Sequence, residues 1–386
     1  MNKLIQRFFK GSDQSYFLFG PRGTGKSTWL TQQYPDALMI NLLKPSVLRD
    51  YLAFPERLEQ SVKASQTPHI IIDEIQKAPA LLSVVHGLIE EKQGWQFILT
   101  GSSARKLKRA GVDLLAGRAL VRHLHPFMAA ELGADFNLNQ SLRYGLVPLI
   151  VESASMSETL AAYIQLYVQE EVKAEGLVRN IGDFLRFLEV VSFSHGSQIN
   201  ASNIARECAV SRKLIEGYLG ILQDLLISYH IPVFNVRAKR NMVVHEKFYF
   251  FDVGVYRSLR SQGFLQNDSE IDGPGLEGLV LQHLRAWNDY QGSPYKLYFW
   301  RTQHGVEVDF ILYGPNNLYA IEVKHAKSVY HKDIKSLQAF CEDYPEAVPI
   351  LLYQGQERLK IGKILCLPVD RFLKQLNPLN EINTCI

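Results

Sequence analysis

The sequence predicts an α/β chain. A P-loop NTPase parallel sheet with helices on both faces comes first, then a helical region resembling a winged helix, then a second α/β region. Three observations carry this expectation. Phe17 to Thr28, FLFGPRGTGKST, holds the pattern G-x-x-x-x-G-K-[ST] between an apolar run and the start of a helical stretch. Strand-like runs and helical stretches then alternate, the order that gives a parallel sheet. Near the C-terminus, VEVDFILYGPNNLYAIEVKHAK places two runs of alternating character on either side of a short turn.

A chain of 386 residues exceeds one ordinary core, so two or three domains are expected. They are read as residues 1–135, 136–250 and 251–386. The 47% hydrophobic and 21% charged composition is that of a globular chain. A net charge of +3 is too small to announce a partner, so any basic surface has to be argued locally. Cys208, Cys341, Cys366 and Cys385 lack C-x-x-C spacing, which points away from a zinc site or a disulfide framework and fits a reducing cytoplasm. The opening MNKLIQRFFKGSDQ has no signal-like core, and no apolar run reaches the roughly 18 residues of a membrane span. A soluble cytoplasmic chain without a membrane partner is expected.

Taken in order, Leu4, Phe8 and Phe9 mark one face of a short N-terminal helix. Tyr16 to Phe19 reads as a buried strand and Ser27 to Gln32 as the opening of a helix. Between them, Gly20, Pro21, Arg22, Gly23, Thr24, Gly25, Lys26, Ser27 and Thr28 form the expected nucleotide cradle. Its glycines let the backbone curl so that N–H groups face a polyphosphate, and the helix N-terminus adds partial positive charge. Lys26 is expected to reach the outer phosphates and Ser27 to offer its hydroxyl to Mg2+. A strand follows at Ala37 to Leu42, then a helical stretch from Ser46 to Lys63 interrupted by Pro55. In HIIIDEIQK the continuous apolar run is a strand buried on both faces, with Asp73 and Glu74 at its C-terminal end. There Asp73 would hold Mg2+ through water and Glu74 would polarise the attacking water, although an Asp-Glu pair can also be a plain capping turn.

The strand Trp95 to Thr100 ends in TGSS, where Thr100 or Ser102 either presents a hydroxyl to the nucleotide or turns the chain. Beyond Arg105, Lys106, Lys108 and Arg109 comes Arg118, before a strand-like Ala119 to Leu124. It is either a finger for a neighbouring subunit's γ-phosphate or a structural ion pair. Ser157 to Leu188 is helical, with Leu160, Tyr163, Ile164, Tyr167 and Val168 on one face and Glu170, Glu171 and Lys173 exposed. Asn200 to Ile227 reads as a helix-turn-helix, and the strand pair Leu226 to Phe234 and Met242 to Phe251 completes a winged-helix outline. Ser211, Arg212 and Lys213 open the second helix, and Arg237, Lys239 and Arg240 lie on the wing. DNA contact and a protein-binding role both remain open.

In the last region, FFDVGVYRSL is a strand turning into a helix that Asp252 caps. Gly275 to Trp287 is an amphipathic helix with Leu276, Leu279, Val280 and Leu284 inward and Glu277 near its start. If Tyr313 opposes Leu318 across the turn, Asp309 faces Glu322 and Glu307 faces Lys324 on one side. Val308, Phe310, Leu312, Tyr319, Ile321 and Val323 then share the other. Converging carboxylates with a nearby lysine suit Mg2+ and a phosphodiester. Charges alternating outward are equally what a half-exposed hairpin shows.

FLFGPRGTGKST, IIIDEIQKAP, ILTGSSARKL and LLAGR resemble the signatures of a widespread group of bacterial and archaeal AAA-type ATPases. Those chains continue into a C-terminal region long classed as a domain of unknown function and related to the PD-(D/E)xK nucleases. The likeness covers nearly the whole sequence and implies ATP binding and hydrolysis; there is no convincing guanine-reading N-K-x-D. It implies an α/β PD-(D/E)xK-like domain with Glu277 from the leading helix, Asp309 on the second strand, and Glu322 and Lys324 as the E-x-K. The metal set implied is Ser27 and Asp73 at the first site and Glu277, Asp309 and Glu322 at the second. Two functions are expected from this: an ATP-hydrolysing, homo-oligomeric machine that binds or cuts nucleic acid, or a nucleotide-dependent protein-interaction switch whose nuclease-like domain is inactive.

Overall fold

The computed structural model describes residues 5–101, 115–168, 178, 180–260 and 268–384. The chain forms two compact units, one of Phe9–His125 with Asp224–Ile227, the other of the segment ending at Phe8, Pro126–Gln223 and Ser228–Ile386.

The first unit is built on five strands: β1 Tyr16–Phe19, β2 Leu38–Asn41, β3 His69–Asp73, β4 Gln96–Gly101 and β5 Leu120–His123. Their order is β2-β3-β4-β1-β5, and every pair is parallel. Ile70, Ile71, Ile72, Phe97, Ile98 and Leu99 are fully buried, which is why these strands read as unbroken apolar runs rather than alternating ones. Among the described residues, four helices lie between these strands: α1 Lys26–Gln33, α2 Pro45–Ala53, α3 Arg57–Ala64 and α4 Leu81–Glu90. The expected helix from Ser46 to Lys63 is thus two, because proline disfavours helical backbone in the residue before it, Phe54. Phe17, Phe19, Leu58, Val62, Leu81 and Val85 share one core. The register carries β1 to Phe19 beside Gly101 and β3 to Asp73, so the loop after β1, the Asp73–Glu74 pair and Thr100 meet at one sheet edge.

The expected N-terminal helix does not form over the described residues 5–15. Its backbone is committed elsewhere: Phe8 N donates to Glu131 Oε1 at 2.7 Å, beside the Arg7 Nε to Glu131 Oε2 bond of 3.1 Å. Phe9 is a packing residue, its ring edge-on to Trp29 at 4.7 Å. Leu4 lies outside the described residues, as do Ser102, Arg105, Lys106, Lys108, Arg109, Glu170, Glu171 and Lys173.

In the second unit, the helices Ala201–Cys208 and Arg212–Asp224 follow the helix Ile181–Ser192. Asn200 caps the first of this pair, its Oδ1 accepting from Ser202 N and Asn203 N, and Ala209 ends it with φ 55°. Three antiparallel strands, β6 Ser197–Gln198, β7 Ser228–Ile231 and β8 Lys247–Phe250, lie in the order β6-β8-β7. Asp252 caps the helix Val253–Leu259 as expected, with Oδ1 2.9 Å from Gly254 N and Oδ2 2.7 Å from Leu146 N. That second bond and the contact of Gly254 with Tyr144 O bring this helix hard against the end of the helix Leu138–Tyr144.

A six-stranded mixed sheet completes the second unit: β9 Lys296–Arg301, β10 Glu307–Tyr313, β11 Leu318–Lys324, β12 Val348–Tyr353, β13 Leu359–Ile361 and β14 Ile364–Pro368, ordered β13-β14-β12-β11-β10-β9. Tyr313 opposes Leu318 and Phe310 opposes Ile321, the register the four-residue turn predicts. The facing is another matter. An irregularity between Val308 and Ile311 in the pairing with β9 shifts the parity. Val308 therefore joins Ile311, Leu318 and Ala320 in a core with Leu337 and Phe340, instead of siding with Phe310 and Leu312. Phe310, Leu312, Tyr319 and Ile321 are buried too, and the helix Asp268–Tyr290 packs on β11, so the hairpin has no solvated face.

Candidate nucleotide site and a buried ion cluster

The β1–α1 loop has the features a phosphate cradle needs. Gly23 and Gly25 sit at φ 79° and 86°, a region costly for side chains. Gly20 is a glycine for a different reason: a Cβ there would overlap Leu124 O. Thr24 Oγ1 donates to Pro21 O at 2.8 Å, stapling the turn. Lys26 Nζ donates to Gly20 O at 2.7 Å and Pro21 O at 3.2 Å, so the ammonium is folded over its own loop. No side chain caps the start of α1, which leaves its first N–H groups directed at the loop. Ser27 and Thr28 are exposed there, and Arg22 is exposed on the loop.

The three elements predicted to meet do so through hydrogen bonds. Ser27 Oγ donates to Asp73 Oδ2 at 3.1 Å, and Thr100 Oγ1 donates to Asp73 Oδ1 while accepting from Glu74 N at 3.0 Å. Thr100 thus fixes both acidic residues at once. Glu74 is held at φ 62°, ψ 47°, a left-handed conformation uncommon outside glycine, and its Oε2 accepts from Gln76 Nε2. Uncapped N–H groups, a lysine and a serine hydroxyl bonded to a buried carboxylate suit a nucleotide with Mg2+. Arg118 ion-pairs with Glu90, and its side chain is 38% exposed.

The acidic residues of the C-terminal region converge, but around a lysine that sequence reading missed. Lys247, on β8, is 1% exposed; its Nζ lies 2.8 Å from Glu277 Oε1 and 3.3 Å from Asp309 Oδ1, and it ion-pairs with Glu307. Tyr249, two residues on, donates its hydroxyl to Glu277 Oε1. Arg301 holds the other oxygen of Glu307 at 2.6 Å, so Glu307, expected to face Lys324, is engaged by Lys247 and Arg301. Asp309 Oδ2 accepts from Val323 N at 2.8 Å, taking over where the β10–β11 ladder stops. Lys324 Nζ donates to Glu322 Oε1 at 2.5 Å, while Glu322 Oε2 is buried without a hydrogen-bond partner.

Burial and the nearby Asp309 charge raise the Glu277 carboxyl to about 7 and push Glu322 well above the carboxylate range. Burial works against the Lys247 ammonium, but the charges of Glu277, Asp309 and Glu307 outweigh it and hold Lys247 well above its ordinary value. Among the described residues, no group of three or more His, Cys, Asp or Glu is placed to hold a metal ion. Glu277, Asp309 and Glu322 are gathered, but the first two are bonded to the Lys247 ammonium and the third to that of Lys324. The sequence sign of Lys247 is a lone cation opening the aromatic run KFYFF, at the first residue of β8.

Residues 12–133 match a family model described as an AAA domain. Over these residues the chain is similar to AAA domains. Residues 135–267 and 272–372 match models described as domains of unknown function, DUF8612 and DUF4143. An uncharacterized protein of Mycobacterium tuberculosis is 24% identical over 79% of this chain and 69% of its own length. An uncharacterized protein of Methanocaldococcus jannaschii is 24% identical over 78% and 72%. The crystal structure of protein VC1899 from Vibrio cholerae aligns with 89% of this chain and 96% of its own at 11% identity and a TM-score of 0.21, a value that establishes no shared fold. No helix among the described residues is long and apolar enough to cross a membrane.

The basic residues singled out in the middle region are partly committed. Arg240 bonds Asp343 at 2.8 Å and Glu342 at 3.1 Å, which ties it to the helix Lys335–Asp343. Arg212 pairs with Glu216 at 2.7 Å on its own helix.

Proposed function

We propose that the AAA domain binds ATP with Mg2+ and hydrolyses it, and that this turnover governs what the rest of the chain does. The observation that carries the reading is the hydrogen-bonded set Ser27–Asp73–Thr100–Glu74 beside the uncapped start of α1. In this reading Gly23, Thr24, Gly25 and Lys26 hold the polyphosphate through N–H groups and the ammonium. When bound, Mg2+ neutralises charge on the outer phosphates. Ser27 and Asp73 hold it, directly and through water. Glu74 orients and polarises the attacking water, and Thr100 fixes where its backbone stands. Arg118, exposed and released from Glu90, would serve a neighbouring copy of the chain. Glu74→Gln is expected to bind ATP and lose turnover by about a hundredfold or more; unchanged phosphate release would remove Glu74 from the role of base.

For the C-terminal region two readings stand. In one it is a PD-(D/E)xK-like nuclease domain, with Asp309, Glu322, Glu277 and Lys324 around a metal and DNA or RNA as substrate; the unpartnered Glu322 Oε2 favours it. In the other it is an inactive relative in a nucleotide-dependent interaction switch, and the basic side chains of the winged-helix-like region meet protein rather than DNA. Lys247 bonded to Glu277 and Asp309, and Arg240 tied down by Asp343, favour the second reading. Incubating the chain with linear and supercoiled DNA and with RNA across divalent metals separates them. Cutting that Asp309→Ala abolishes supports the nuclease, and no cutting supports the switch.

A further inference from the structure

The ion cluster disagrees with the metal site that the sequence pattern anticipates, and the disagreement is informative. We infer that Lys247 is the resident cation of the carboxylate pocket formed by Glu277, Glu307, Asp309 and Glu322, standing where a divalent ion would otherwise sit and excluding one.

Geometry supports this from three sides. The ammonium lies on three carboxylates at once: Glu277 at 2.8 Å, Asp309 at 3.3 Å and Glu307. It is buried to 1% exposure, and desolvating an ammonium is costly unless negative charges surround it, so the pocket and the lysine each require the other. One acceptor, Glu322 Oε2, is buried and unpartnered, so the pocket retains coordinating capacity that the lysine does not use. A divalent ion bound to Glu277 and Asp309 would have to share both carboxylates with an ammonium at hydrogen-bond distance. Charge repulsion between two cations so close, at low dielectric, makes the two occupants exclusive.

The lysine comes from β8, in the stretch matching one domain of unknown function, whereas the four carboxylates come from the stretch matching the other. The pocket is therefore closed to metal as long as β8 stays paired with β6 and β7 and holds Lys247 inward. The inference does not rest on ATP hydrolysis, nor on either reading of the C-terminal region.

The test counts Mn2+ bound to the full chain, by electron paramagnetic resonance of the free ion, in nucleotide-free protein carrying Ser27→Ala to weaken the first site. With Lys247 present, no Mn2+ dependent on Asp309 is expected. With Lys247→Ala added, one further Mn2+ per chain should bind, be lost again with Asp309→Asn, and raise the melting temperature. Two results overturn the inference: binding abolished by Asp309→Asn while Lys247 is present, or a folded Lys247→Ala chain that gains no ion. If Lys247→Ala does not fold, the Lys247-containing pair of titrations still decides: Asp309-dependent Mn2+ overturns the inference, and its absence upholds it.

Discussion

Thr100 is the residue on which the candidate nucleotide site turns, because one hydroxyl both donates to Asp73 and accepts from the backbone of Glu74. Thr100→Ser keeps both bonds and should leave kcat near that of the parent. Thr100→Val keeps the shape and removes them, and should lower kcat about tenfold, the kinetic equivalent of one charge-assisted hydrogen bond. Equal rates for the two variants in a phosphate-release assay would show that Thr100 only packs. Gly20 makes a contrasting case. A methyl group there meets Leu124 O, which is backbone and cannot swing aside. Gly20→Ala should weaken ATP binding and lower stability together, measurable by nucleotide titration and by melting.

At the scale of elements, one glycine contact and two histidines decide how helices seat. Gly254→Ala would drive its Cβ into Tyr144 O at the crossing of the helices Leu138–Tyr144 and Val253–Leu259. A loss of about 3 kcal/mol in chemical denaturation is expected. His283 Nε2 accepts from Ala129 N at 2.9 Å while Nδ1 donates to Leu279 O at 2.8 Å, so the ring is the neutral tautomer and joins the helix Asp268–Tyr290 to the segment at Ala129. Burial lowers it to about 4, and burial lowers His195, whose Nδ1 accepts from Phe250 N, to about 3. Both folded values lie below the unfolded one near 6.5, so this stability is complete above that pH and is lost as pH falls through 4 toward 3. For His283 the difference amounts to about 3 kcal/mol. Histidine NMR should show neither ring protonating between pH 7 and 5; titration near 6.5 in the folded chain would contradict the neutral assignment.

These elements also show what a sequence can reveal. The phosphate loop, β3 and the Asp252 cap were legible because their determinants are contiguous: a glycine pattern, an apolar run, a side chain two residues from its N–H partner. The register of β10 and β11 was legible because a four-residue turn dictates it. What the pattern missed depends on distant chain. The missing N-terminal helix reflects Glu131 capturing Phe8 N, the parity of Val308 reflects an irregularity induced by pairing with β9, and the ion cluster needed Lys247 from a strand sixty-two residues before Asp309.

For the whole molecule, two compact units make a thermal prediction. In the proposed reading ATP with Mg2+ would bind residues of Phe9–His125, so in Glu74→Gln, where nucleotide would persist, that unit should gain about 2.7 kcal/mol at a hundredfold excess over Kd. Calorimetry should show one melting component moving upward with nucleotide and the other staying in place; a uniform shift would mean that the units unfold together. The first unit also includes Asp224–Ile227, and Leu226, at φ 59°, packs on its core. A ribosome must therefore translate through the helices that follow Pro126 before the first unit receives its last piece. Until Ile227 emerges, the part of the core that Leu226 packs on lacks that cover in the nascent chain.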